Sequence, residues 1–233
     1  MINLNIILKN QKMKTNRFNV LSIMALVIVL FACQSKTSKQ TAPATANENP
    51  TEAVKVNTKG KYAIKSGIVE YKTQMMGMDM KQVLTFDDYG KKEMTEVVME
   101  MMGMKTHAVT LTKDGFVYAY DLVKKTGTKN PFYGGGSQNI DFENMSKEMV
   151  KDMNLKKEGT EEFLGKTCEK MSVDYEKMKM KGSFLVYKGI ALKMDTDMGT
   201  VKMNLVADKF VENPEIPAGK FEIPADVIIT ENQ

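Results

Sequence analysis

The sequence predicts an α+β fold built mainly of antiparallel strands. Three observations carry that prediction. From Lys59 onward, short runs rich in Val, Thr, Tyr and Phe follow one another. Turn signals such as "DDYG" at 87–90 and "KDG" at 113–115 separate them. One stretch only, "DFENMSKEMVKDMNL", changes to a helical period. The links between strands are short, which predicts an antiparallel meander.

Taken in order, the first strands are "GIVEYKTQMM", "MKQVLTFDD", "KKEMTEVVMEM", "KTHAVTLT" and "FVYAYDL". "NPFYGGGSQ" then reads as a flexible loop; its glycines lack the spacing of a phosphate-binding loop. In the helical stretch Phe142, Met145, Met149 and Met153 recur at spacings of three, four and four. That is one apolar stripe facing the core, with Asp141 as the expected N-cap. Strands resume with "GKTCEKMSVDY", "KGSFLVYK", "IALKMDT" and "TVKMNLVADKFV". Pro214, Pro217 and Pro224 exclude a central strand at the end of the chain and suit a closing edge segment.

Ahead of this domain, residues 18–32, "FNVLSIMALVIVLFA", form an apolar run preceded by Lys9, Lys12, Lys14 and Arg17. A basic region, a short apolar core and a small residue at the cut make a secretory signal over 1–32. The run is short for a membrane span. Ala32 stands directly before Cys33, so the junction is similar to a bacterial lipobox, which implies acylation of Cys33. Met13 offers a second possible start. Residues 34–58 are polar and rich in Ser, Thr, Ala, Pro and Asn, and read as a disordered tether. Flexible coil of that length spans roughly 27 Å. The domain itself is expected over 59–233.

The formal charge of +4 belongs to the signal, which carries four positive residues and no acid. Without it the chain is neutral and has no electrostatic footprint for nucleic acid. The only arginine, Arg17, leaves with the signal. Arginine is the favoured bidentate partner of carboxylates and phosphates, so a nucleotide or phospho-substrate enzyme is disfavoured. Cys168 is the one thiol of the domain and reads as a small strand residue. The acid pairs Asp87-Asp88 and Glu161-Glu162 read as solvated turns, and no G-x-S-x-G elbow is present. No catalytic residue and no cofactor is expected.

The motif that stands out is "MMGM", which occurs at 75–78 and again at 101–104. Gly77-Met78 and Gly103-Met104 suit the central positions of type II′ turns. Two such turns in a meander lie on one edge of the sheet, roughly 10 Å apart. Met75, Met76, Met78, Met101, Met102 and Met104 then share one rim. Two readings compete for it. The rim lines the mouth of an apolar-ligand cavity, as adaptable methionine surfaces do. Or Met76, Met78, Met102 and Met104, supplemented by His107, hold Cu(I) through soft thioethers. Methionine is spread along the whole domain, which favours core or ligand lining. His107 alternates with Val109 and Leu111 and, as a lone histidine, reads first as a hydrogen-bonded structural residue.

Several segments carry a family resemblance: "VTLTKDGFVYAYD", "FLGKTCEKMSV", "VYKGIALKM" and "IPAGKFEIP". Over residues 60–230 the chain resembles the LolA/LolB-like outer-membrane lipoprotein carrier superfamily, in a methionine-rich branch of exported lipoproteins. The resemblance implies a curved, incomplete β-barrel, a half-barrel whose open face is covered by helix over an apolar cavity. The carriers latch their lid with an arginine, which this domain lacks. The anchored cysteine is more like the membrane-bound acceptor.

The leading expectation is a non-enzymatic, lipid-anchored envelope protein that binds a lipid, acyl chain or other apolar ligand. It would sit on the outer membrane of a Gram-negative-type cell, facing the periplasm. The alternatives are a periplasmic Cu(I)-binding protein and an envelope scaffold that binds a protein partner.

Overall fold

The computed structural model describes residues 59–75, 78–101, 103–132 and 140–231. Residues 1–58, which hold the expected signal, Cys33 and the expected tether, lie outside them. The strands are β1 (Gly67–Met75), β2 (Met78–Asp87), β3 (Lys92–Met101), β4 (Met104–Lys113), β5 (Phe116–Asp121) and β6 (Thr126–Pro131). They continue with β7 (Lys156–Phe163), β8 (Lys166–Tyr175), β9 (Met180–Tyr187), β10 (Ile190–Asp197), β11 (Lys202–Glu212) and β12 (Ile228–Glu231). All join one sheet in the order β12-β6-β5-β4-β3-β2-β1-β11-β10-β9-β8-β7. The sheet is curled and not closed into a barrel. Neighbouring strands pair antiparallel except β12, which runs parallel to β6.

The hairpin turns follow from local chemistry. Asp114 and Gly115 both take positive φ, 53° and 77°, as a type I′ turn between β4 and β5 requires. In the β3–β4 hairpin Met101 pairs with Met104, so the central residues are 102 and 103. The expected turn over Gly103-Met104 is therefore shifted by one position. The reason is conformational. Gly103 has φ 77°, and a Cβ placed there would meet nothing within 4 Å. Glycine serves its backbone angle, not a crowded site. The β1–β2 hairpin closes in the same register, with Met75 opposite Met78.

The helix is shorter and later than its periodicity predicts. It is α1 (Lys147–Asp152), capped by Ser146, whose side chain accepts from the Met149 N–H. Asp141 is not the cap. Its carboxylate accepts from Asn144 N–H at 3.0 Å and closes a preceding turn. Phe142 and Met145 therefore reach the core from irregular backbone. Two strands fall outside the sequence reading. β6 and β7 show no alternation because neither has a well-buried face. The proline segment forms no central strand, and the chain closes on an edge strand, β12. Residues 213–227 form no strand; β12 begins only after the last proline.

Two buried clusters form. The larger contains Val69, Tyr71, Leu84, Phe86, Met171, Phe184, Met194 and Leu205, with Met145 and Met153 from the 140–155 segment. The smaller contains Met94, Val109, Leu111 and Tyr120, covered by Phe221 and Val227 of the 213–227 segment. Strand register puts these on opposite faces. Leu84 pairs with Thr95, and Thr95 with Thr110, while Leu111 pairs with Met94. The face that is core on β1 and β2 is thus not the face that is core on β4.

Candidate functional site

Three rows of paired residues cross the sheet from β1 or β2 to β6 on the Tyr71 face. One runs Tyr71, Gln82, Val97, Ala108, Asp121, Thr126. The next runs Val69, Leu84, Thr95, Thr110, Ala119, Thr128. The third is Phe86, Glu93, Thr112, Val117, Asn130. Burial fades along each row. In the second, Val69 is 0% exposed, Leu84 4% and Thr95 6%, whereas Thr110, Ala119 and Thr128 are only half-buried. Every buried side chain of β4 and β5 belongs to the other face. Val97, Ala108, Thr110, Val117 and Ala119 therefore present methyl groups on a face that no buried cluster seals. Periodicity could have found them. In "KTHAVTLT" the larger apolar residues Val109 and Leu111 mark the core side and leave Thr106, Ala108 and Thr110 to the other.

One end of this face is closed by a buried acid. Glu93, 5% exposed, accepts from Tyr62 Oη at 2.6 Å and from Lys61 Nζ at 2.8 Å. Burial, then the Glu93 charge, pushes the Tyr62 hydroxyl far above its ordinary range. Tyr71 is likewise raised, mainly by burial, and donates to the Ala191 carbonyl at 2.9 Å.

The opposite end carries the "MMGM" hairpins. An antiparallel order puts the β1–β2 and β3–β4 turns at the same end of the sheet. Met78 is half-buried and Met104 is 62% exposed. Met75 and Met101 are described by their strand positions, and Met76, Met102 and Cys33 lie outside the described residues. His107 pairs with Val98 and Met104 with Met101, which puts His107 on the face opposite Met104. Its Nε2 lies 3.2 Å from Glu96 Oε2, and Glu96 also bonds Lys220 of the 213–227 segment. His107 thus helps tie that segment down and stands apart from the Met78 and Met104 side.

Of the predicted helical stripe, Met145 and Met153 are buried and Phe142 stacks edge-on against Phe184 at 5.3 Å. Met149 is 47% exposed, and Val150 packs on the core instead. A cavity of about 330 Å³ beside Phe142 has a mixed lining, with Met171 and Val186 beside Glu143 and Lys188 and an ion pair of Lys157 and Glu169 at 2.8 Å. It is no apolar pocket. Glu143 lines it, and burial, then Glu169, raises its carboxyl above the ordinary range. Cys168 is fully buried, and burial raises its thiol, so it is no nucleophile. Among the described residues no group of three or more His, Cys, Asp and Glu is poised for a metal. No described helix is long and apolar enough to cross a membrane.

No family model and no curated protein matches the chain. An uncharacterized conserved protein from Thermus thermophilus superposes with a TM-score of 0.52 at 10% identity, covering 73% of this chain and 92% of that one. The likeness is one of fold. The Pseudomonas aeruginosa MucA/MucB complex matches at TM-score 0.44 and 10% identity, over 71% of this chain and 58% of that one. A putative outer membrane lipoprotein-sorting protein domain from Vibrio parahaemolyticus matches at 0.35 and 10%, over 70% and 92%. Those two scores are too low to say anything of this chain's activity.

Proposed function

We propose that this chain is a non-enzymatic protein of the cell envelope, anchored through Cys33, that binds a lipid or acyl chain on the Tyr71 face. The observation that supports this best is the fading of burial along the three rows. A face that is dry core over β1 and β2 becomes a half-exposed array of small methyl-bearing residues over β4–β6. Exposed apolar area of that kind favours an apolar partner, because covering it removes water from it at about 25 cal/mol per Å². Over β4 and β5 its charged member, Asp121, stands at the end of β5. Small residues let a flat or extended chain approach the sheet closely. The signal and the "LFAC" junction read in the sequence support the anchored placement.

The test is native mass spectrometry of protein purified from envelope, followed by lipid extraction. The wild type is expected to carry co-purifying acyl lipid. Ala119→Arg places a charge on the face without touching either core and is expected to abolish it. Wild-type protein that carries no lipid, or Ala119→Arg protein that carries as much, overturns the reading.

A further inference from the structure

The Tyr71 face carries hydrogen-bonding groups that its apolar character does not explain. On β2 the residues turned to this face are Met78, Met80, Gln82, Leu84 and Phe86, so one amide interrupts an apolar row. Gln82 is 7% exposed. On β3, Thr95 takes the same face opposite Leu84 and is 6% exposed. On β1, Thr73 takes it opposite Met80 and is 3% exposed. The register sets the three on one diagonal. Thr73 stands one row from Gln82 towards the "MMGM" turns, and Thr95 one row from it towards Glu93. Diagonal neighbours of this kind lie about 7–8 Å apart.

These groups are open. The Thr73 hydroxyl oxygen is buried and has no hydrogen-bond partner. Among the described residues no hydrogen bond reaches the Gln82 amide or the Thr95 hydroxyl. Protein interiors pair the large majority of such groups, because an unpartnered one gives up its hydration and gains nothing. An open amide beside a half-exposed apolar surface suits an amphiphile, whose chain covers methyl groups while its polar group meets a few fixed partners.

Charge narrows the class. Among the described residues that register turns to this face over β1–β6 there is no lysine and no arginine. Two acids are there. Glu93 holds Lys61 at 2.8 Å, and Asp121 accepts from the Val123 and Lys124 N–H groups of the β5–β6 turn. An ionised carboxylate or phosphate on this face would lose water, meet no free cation and face two like charges. An uncharged carbonyl loses far less and accepts from the Gln82 amide N–H and the Thr95 hydroxyl.

Building on the reading of this face as one that binds acyl chains, we propose that its ligand carries an uncharged acyl carbonyl, an ester or an amide, held by Gln82 with Thr95 and Thr73 beside it. Free fatty acids are excluded by charge. The acyl chain lies across Val97, Ala108 and Ala119, where the face is half-exposed.

The experiment is displacement of the neutral fluorescent probe N-phenyl-1-naphthylamine from the purified full chain at pH 8. The competitors are monolauroylglycerol, N-lauroylethanolamine and laurate, which share one acyl chain and differ in its head. The ester or the amide is expected to compete at least about tenfold more strongly than laurate, and the better of the two names the group. Gln82→Leu keeps the volume and removes the donor. It is expected to weaken the ester and the amide by about tenfold and to leave the affinity of the probe unchanged. Laurate that competes as well as both carbonyl ligands overturns the inference and leaves acyl binding standing. So does Gln82→Leu protein that binds them as tightly as wild type. A chain that binds neither the probe nor any of the three competitors overturns acyl binding and this inference together. The comparison of heads on the wild type decides even if the variant fails to fold.

Discussion

Glu93 is the residue on which the sealed end of the Tyr71 face depends. A carboxylate 5% exposed needs donors, and Tyr62 and Lys61 both donate to it. Removing one donor leaves the acceptor buried and under-satisfied. Tyr62→Phe is therefore expected to destabilise the fold by about 1–3 kcal/mol, read as a lower denaturation midpoint with an unchanged denaturant slope. A midpoint equal to wild type would contradict this account of the end. The tyrosines also set an alkaline limit. Burial, with Glu96 adding to it, pushes Tyr120 up to about 12 from an ordinary 10.0. Between those values the unfolded chain has released the proton and the folded chain still holds it. Stability is thus complete below pH 10 and declines as pH rises towards 12. Thermal melts over that range should fall with pH, and less steeply in Tyr120→Phe. Parallel curves for the two proteins would rule out Tyr120 as a contributor.

At the scale of elements, the structure separates two methionines that sequence periodicity treats alike. Met149 and Met153 sit on one predicted stripe, yet the helix begins only at Lys147 and turns Met149 outward. Met153 is 7% exposed and packs in the larger cluster. Met153→Ala is expected to cost about 2–5 kcal/mol and Met149→Ala no more than about 0.5 kcal/mol. Equal costs in chemical denaturation would restore the longer helix. The stripe misled because Phe142 and Met145 reach the core from a turn, where spacing carries no helical meaning. What decides the start is the competition between two caps. Asp141 is engaged by Asn144, and Ser146 is free to take the Met149 N–H. Two hairpins were legible for the opposite reason: "KDG" and the second "MMGM" place Gly115 and Gly103 where a positive φ is needed. β6 and β7 were not, since a strand without a buried face leaves no alternation to read.

At the scale of the molecule, the sheet has a core on one face over β1 and β2 and on the other over β4 and β5. The sequence shows alternation within each strand but cannot say to which side the apolar half turns. That depends on pairing between distant strands, and on which face each long connection crosses. The 140–155 segment packs into the larger cluster and the 213–227 segment into the smaller. Neither assignment has a local signal. The arrangement makes a sharp demand on neighbouring residues of β4. Leu111 is 0% exposed beneath Phe221, while Thr110 lies on the half-exposed face. Leu111→Arg buries an unpaired charge among Met94, Val109 and Tyr120 and is expected to unfold the domain. Thr110→Arg can send its charged head into solvent from the open face and is expected to leave the melting temperature within a few degrees of wild type. Circular dichroism melts of the two variants distinguish the faces directly. If Thr110→Arg unfolds as readily as Leu111→Arg, the Tyr71 face over β4 is sealed by the protein itself, and a ligand has no place on it.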